Sequence, residues 1–223
     1  MKKFYLTFFS ILFFTQASFA LVKIDITRGN LEPLPAAISK FYMEDPSKFS
    51  AELKALKLEK KIPELISNNL KRSGLFHIID PKSYIQSPNI AHVKPTFQDW
   101  ALIKAQIMVS GKLVIDSKKR LRVEFRLWDV VGGKEIEGLA LFATPQSWRR
   151  IAHIISDKIY ERMTGESGYF DTRIIYVAES GPKDQRVKKL AIMDQDGSGN
   201  KYLTLGNELV LTPRFNPTAQ MIT

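Results

Sequence analysis

A chain of 223 residues, 44% hydrophobic and 25% charged, is long enough for one or two packed domains and has the make-up of a globular protein. It contains no cysteine, which excludes disulfides, thiol catalysis and cysteine-ligated metals together. Its 33 basic residues against 23 acidic ones give a net charge of +10, but Lys57, Lys60, Lys71, Arg122, Arg126, Arg149 and Lys188 are scattered beside turns and on polar faces, so solvated surface explains them better than a nucleic-acid stripe.

The first 20 residues stand apart. Lys2 and Lys3 precede an apolar run from Phe4 to Phe14, and Ser18-Phe19-Ala20 closes it with small residues. This is the three-part pattern of a secretory signal peptide, and the apolar run is shorter than the ~20 residues of a membrane span. Cleavage before Leu21 is expected, with release into a bacterial periplasm and no transmembrane segment in the mature chain. Loss of Lys2 and Lys3 leaves 31 basic against 23 acidic residues, a balance of +8.

Leu21, Val22, Lys23, Ile24, Asp25, Ile26, Thr27, Arg28 and Gly29 alternate in the manner of a strand, and Pro33 and Pro35 keep the following path extended. Ser50 to Lys61 is a charged, helix-prone run. Pro63 is expected to interrupt it and to open a new helix as its first residue, with Ile62, Leu65, Ile66, Asn69 and Leu70 on one face and Gly74 past its end. Phe76 to Ile79 reads as a strand ended by Asp80-Pro81. Ile107 to Ile115, Leu121 to Trp128 and Glu135 to Phe142 read as three more, the second with Leu121, Val123, Phe125 and Leu127 on its buried face. Thr144-Pro145 starts a helix with Trp148, Ile151, Ala152, Ile155, Ile159 and Met163 on its buried side, and Gly165 closes it.

Beyond Gly168 the pattern changes to short β runs, Ile174 to Ala178, Leu190 to Met193 and Tyr202 to Leu205, separated by Ser180-Gly181-Pro182 and by Asp194 to Asn200. These read as one blade of a β-propeller. The fold class expected is therefore α+β: an N-terminal mixed-sheet domain with two or three helices, 21–168, and an incomplete propeller, 169–223.

Little in the chain suggests chemistry. His77, His92 and His153 are far apart in sequence, and His153 falls off the helix's apolar stripe. No Gly-x-Ser-x-Gly elbow and no phosphate-cradling glycine loop occurs. Asp194-Gln195-Asp196-Gly197 has the look of a calcium loop, but it lacks the third ligand before the glycine and the closing Glu, so a turn with a positive φ at Gly197 is the reading. Trp128 and Trp148 are read as core anchors. No catalytic residue, metal ligand or cofactor is expected.

The run Trp148-Arg149-Arg150-Ile151-Ala152-His153, continuing through Asp157 to Arg162, Thr164-Gly165-Glu166 and Gly168 to Ile174, resembles the domain junction of the TolB family. Leu70 to Phe76, Leu127-Trp128-Asp129, Met193 to Gly197 and Leu211 to Phe215 support it. The resemblance implies a non-enzymatic periplasmic component of the Tol-Pal system, supporting outer-membrane integrity and constriction during cell division. Its partners would be TolA-like and Pal-like envelope proteins. The TolA-like partner would bind Leu21 to Gly29, and the Pal-like partner would bind the propeller. No nucleic-acid partner is implied, and a monomer is expected. Two departures stand out: 44–61 is longer and more charged than the pattern, and only the first blade and the start of a second are present, which implies the front part of a longer protein. An exported hydrolase whose catalytic domain lies outside this sequence is the alternative.

Overall fold

The computed structural model describes residues 32–223 apart from 119, 209 and 220; the expected signal peptide and Leu21 to Gly29 lie outside the described residues. The first strand, β1 (Leu34–Ile38), occupies the sheet interior although it contains Pro35. It runs parallel to β3 (Phe76–Ile78) on one side and to β4 (Ile107–Ile115) on the other. Pro35 is tolerated because the flanking residues hold β3, with Leu34 N–H donating to Leu75 and the Ala36 carbonyl accepting from Ile79, each near 3 Å. Antiparallel β5 (Leu121–Asp129) and β6 (Lys134–Ala143) complete the order β3-β1-β4-β5-β6, and the two-residue β2 (Tyr42–Met43) adds to β4.

The expected helix start at Pro63 is corrected. A short α1 (Ala51–Ala55), capped by the Ser50 hydroxyl, leads into α2 (Leu58–Arg72), and Pro63 lies inside α2. Lys57 takes the left-handed conformation between the two helices. A proline interior to a helix frees the carbonyl four residues earlier. Here that carbonyl, of Glu59, accepts the Phe41 N–H at 2.9 Å, so the lost helix bond becomes a tie between α2 and the segment after β1. The same arrangement seats the charged stretch 44–61, whose Phe49 and Leu58 are buried against the sheet.

Helices α2 and α5 (Trp148–Thr164) lie together on one face of the sheet, over Leu121, Val123, Phe125 and Leu127 as their alternation requires. The short α3 (Pro88–Ala91) and α4 (Phe97–Leu102) cover part of the other face, where Trp100 and Trp128 pack with Ala37 and Met108. Trp128 is the anchor expected; it donates from Nε1 to Ser110 at 2.9 Å. Trp148 is only half-buried. Tyr84 ends the β1–β3 ladder: its hydroxyl accepts from Ile38 N–H and donates to the Ile79 carbonyl, both at 2.9 Å. Burial drives its pKa up to about 12, the nearby Asp80 adding to the rise and the Ile38 N–H opposing it.

A second sheet follows, β7 (Arg173–Ser180), β8 (Val187–Asp194) and β9 (Lys201–Tyr202), all antiparallel. The third run is shorter than its sequence pattern because the Thr204 hydroxyl, not its backbone, accepts the Leu190 N–H and ends the ladder. Among the described residues after β9, Phe215 and Ile222 form one antiparallel bridge. Among the described residues, no helix is long and apolar enough to cross a membrane.

Candidate functional site at the domain junction

The helix α5 carries two stripes. Ile151, Ile155, Ile159 and Met163 face the sheet. Arg149, His153 and Asp157, spaced i, i+4, i+8, form a second line on the same helix. Asp157 holds the connection out of the helix. After Gly165, left-handed at φ 85° as a C-terminal cap requires, the chain turns back so that the Asp157 carboxylate accepts Phe170 N–H at 2.6 Å and Asp171 N–H at 3.0 Å. Gly168 lies so close to Asp157 that any Cβ would collide with it. Burial raises the Asp157 pKa, against the lowering effect of those two N–H groups.

Arg149 and His153 meet the turn at the end of β8. The turn is built as its sequence suggests: Gly197 has φ 83°, Gly197 N–H donates to the Asp194 carbonyl, and the Asp196 side chain accepts from Ser198 N–H at 3.0 Å. One Arg149 Nη donates to Asp196, and its Nε lies 3.6 Å from Asp194. Burial pushes the Asp196 carboxyl up, but the Ser198 N–H and the Arg149 guanidinium outweigh it and hold it below the usual carboxylate range.

His153 corrects its reading as a residue off the buried face: it is 2% exposed, enclosed between α5, α2 and the turn rather than packed on the sheet. Its Nδ1 lies 3.0 Å from Asn69 Nδ2, which also donates to Ser156 at 3.0 Å. Asn69 Oδ1 accepts from Arg72 at 3.0 Å and Gln195 Nε2 stands 3.4 Å away; Arg72 also donates to Gln195 at 2.8 Å. Arg72 can only donate, so it fixes the Asn69 amide, and the amide in turn requires a lone pair on His153 Nδ1. The proton of neutral His153 is therefore on Nε2, which has no hydrogen-bond partner among the described residues and points towards Asp196, 3.9 Å away. Burial depresses the His153 pKa, Asp196 and Asp194 working against it.

His153, Asp194 and Asp196 could together reach one metal ion, since their ligand atoms lie within 4.8 Å of one another. The donor set does not suit one. A metal needs a lone pair where His153 carries its proton, and the carboxylates are already paired with arginines, Asp196 with Arg149 and Asp194 with Arg149 and Arg173. The cluster is an ion-paired latch. Sequence reading missed Asn69, Arg149, Asp157 and Gln195 as a group; the i, i+4, i+8 line of polar residues on a helix otherwise patterned for a core was the available signal.

These features define a class: a mixed α/β domain whose last helix clamps a propeller-type sheet through a polar junction. The family model described as the TolB amino-terminal domain matches residues 22–136, and that of the TolB β-propeller domain matches 160–223. The chain belongs to the TolB family. It is 59% identical over 208 residues to the Tol-Pal system protein TolB of Pelagibacter ubique, and 50% identical over 204 residues to that of Paramagnetospirillum magneticum. These alignments cover 92% of this chain but 46% and 44% of the relatives, so the chain spans about half their length. The crystal structure of TolB from Acinetobacter baumannii superposes with a TM-score of 0.68 at 22% identity, over 91% of this chain and 46% of that one. That likeness establishes the shared fold.

Proposed function

We propose that the chain is a non-catalytic protein-interaction component of the Tol-Pal system, working in the periplasm to support outer-membrane integrity and constriction during cell division. The observation that carries this is the 59% identity, over nearly the whole chain, to a relative named for that system. In this reading 1–20 is the export signal, removed before Leu21. Residues 21–168 form the N-terminal domain, and 169–223 form the first blade and the start of the second. A TolA-like protein docks on Leu21 to Gly29 by strand addition, the alternating pattern supplying backbone donors and acceptors and an apolar row. A Pal-like protein binds the propeller. The test is a pull-down of the exported chain with a TolA-like domain. Deletion of 21–29, or Ile24→Pro, should abolish capture while far-ultraviolet dichroism stays unchanged. Undiminished capture by both variants would refute the assignment of that segment.

A further inference from the structure

We propose that Asn69, His153 and Asp196 form a protonation-operated hydrogen-bond switch that connects α2, through α5, to the first blade. The structure holds it in one of two positions. In this position Arg72 orients the Asn69 amide, Asn69 donates to His153 Nδ1, and the orphaned His153 Nε2–H faces Asp196. Gln195 of the turn shares Arg72 with Asn69, so α2 and the blade are joined through neutral atoms and one cation.

A second proton on His153 goes to Nδ1, the nitrogen that accepts from Asn69. Two donors then face each other across 3.0 Å. The conflict is relieved when the Asn69 amide turns over and offers Oδ1 to the new Nδ1–H. That turn points the amide's NH2 at Arg72 and at Gln195 Nε2, both donors, and gives up the Asn69 contacts with both, while the Arg72 bond to Gln195 remains. The imidazolium simultaneously acquires full charge opposite Asp196 and Asp194. Protonation thus exchanges the Asn69–Gln195 contact for an α5–blade ion pair, with Arg72 left on Gln195. The charged groups that face His153 are Arg149 and Asp157 from α5, Asp194 and Asp196 from the turn, Asp171 from the connecting segment and, through Asn69, Arg72 from α2. Arg149 opposes the proton and the carboxylates favour it, while burial, the largest influence, opposes it. The neutral position is therefore the resting one at neutral pH.

The experiment is nitrogen-resolved NMR titration of the whole chain labelled in histidine, with His153→Gln identifying the resonance among the three histidines. At neutral pH the wild type should carry its proton on Nε2. Arg72→Met frees Asn69 to turn and should raise the His153 midpoint. Asn69→Asp places a carboxylate on Nδ1 and should raise it by about one pH unit or more. An Nδ1–H tautomer in the neutral wild type would overturn the proposal without reference to any variant. So would midpoints unmoved by both substitutions, or a shift of the His153 nitrogens on adding one equivalent of Zn2+, which would make the cluster a metal site instead.

Discussion

Replacing Asp157 by alanine isolates the contribution of the junction's central carboxylate. The side chain accepts two backbone N–H groups, from Phe170 at 2.6 Å and Asp171 at 3.0 Å. Phe170 is completely buried, so its N–H loses its acceptor in a site water reaches poorly, at a cost of about 1–3 kcal/mol. Asp171 is exposed, so its N–H can turn to water at roughly 0.5 kcal/mol. Against this, the variant removes the burial penalty that raises the Asp157 pKa. The lost acceptor dominates, and the junction should open more easily by about 1–3 kcal/mol. At tenfold per 1.4 kcal/mol, hydrogen exchange at Phe170 and at Gln195, whose N–H reaches back to Thr172, should quicken roughly 5- to 150-fold. Amides of Leu121 to Leu127 in β5 serve as the control and should be unchanged. Asp157→Asn should fall between wild type and Asp157→Ala, since it keeps one acceptor and removes the buried charge. Wild-type exchange at both Phe170 and Gln195 in the alanine variant would refute the reasoning.

Pro63→Ala should change stability by less than about 1 kcal/mol, where relief of an interior proline would ordinarily gain about 3 kcal/mol, because the Glu59 carbonyl already accepts from Phe41; urea denaturation would expose a gain near the full value as an error. Gly111→Ala should destabilise by about 1–3 kcal/mol, because its Cβ would stand 2.5 Å from the buried Phe41 ring; an unchanged midpoint would count against that packing. Stability should fall as pH drops through about 6.5: the folded-state pKa of His153 is depressed, so below its ordinary value of about 6.5 the unfolded chain takes the proton first, and the loss levels off once pH passes below the folded-state value. His153→Gln should flatten that decline, and an equal decline in wild type and variant would assign it elsewhere.

Periodicity made the helix-covered face of the sheet, and the helix stripe packed on it, legible. The alternation of Leu121, Val123, Phe125 and Leu127, and the stripe from Ile151 to Met163, appear as the structure has them because burial on one face leaves a repeat in the chain. Three elements departed from their local signal, each through a distant partner. Pro63 marks a helix start by propensity, yet Phe41, 22 positions earlier, supplies the donor that lets the helix run through it. β1 carries Pro35, which argues against an interior strand, yet its bonds to β3 fall on Leu34 and Ala36. Tyr202 to Leu205 has the residues of a longer strand, but the Thr204 hydroxyl replaces a backbone acceptor. The Asp194 to Asn200 turn was legible as a turn and its partners were not, since no spacing within a loop shows that an arginine 47 positions away binds Asp196.

The junction accounts for why one helix can serve both a core and a neighbour. The apolar stripe of α5 fixes it on the sheet through non-directional contacts that tolerate small shifts. Its polar line meets the blade through directional bonds from Arg149 and Asp157, and through a histidine whose tautomer is set by a residue on α2. Small displacements matter far more to the second set than to the first, because a hydrogen bond weakens steeply once its angle or length is lost. A change at the blade can therefore be registered at α2 without disturbing the sheet beneath. Arg72 is the point of exchange: at the last turn of α2 it gives a charged donor to Asn69 of its own helix and to Gln195 of the blade at once, so a displacement of Arg72 weakens both bonds.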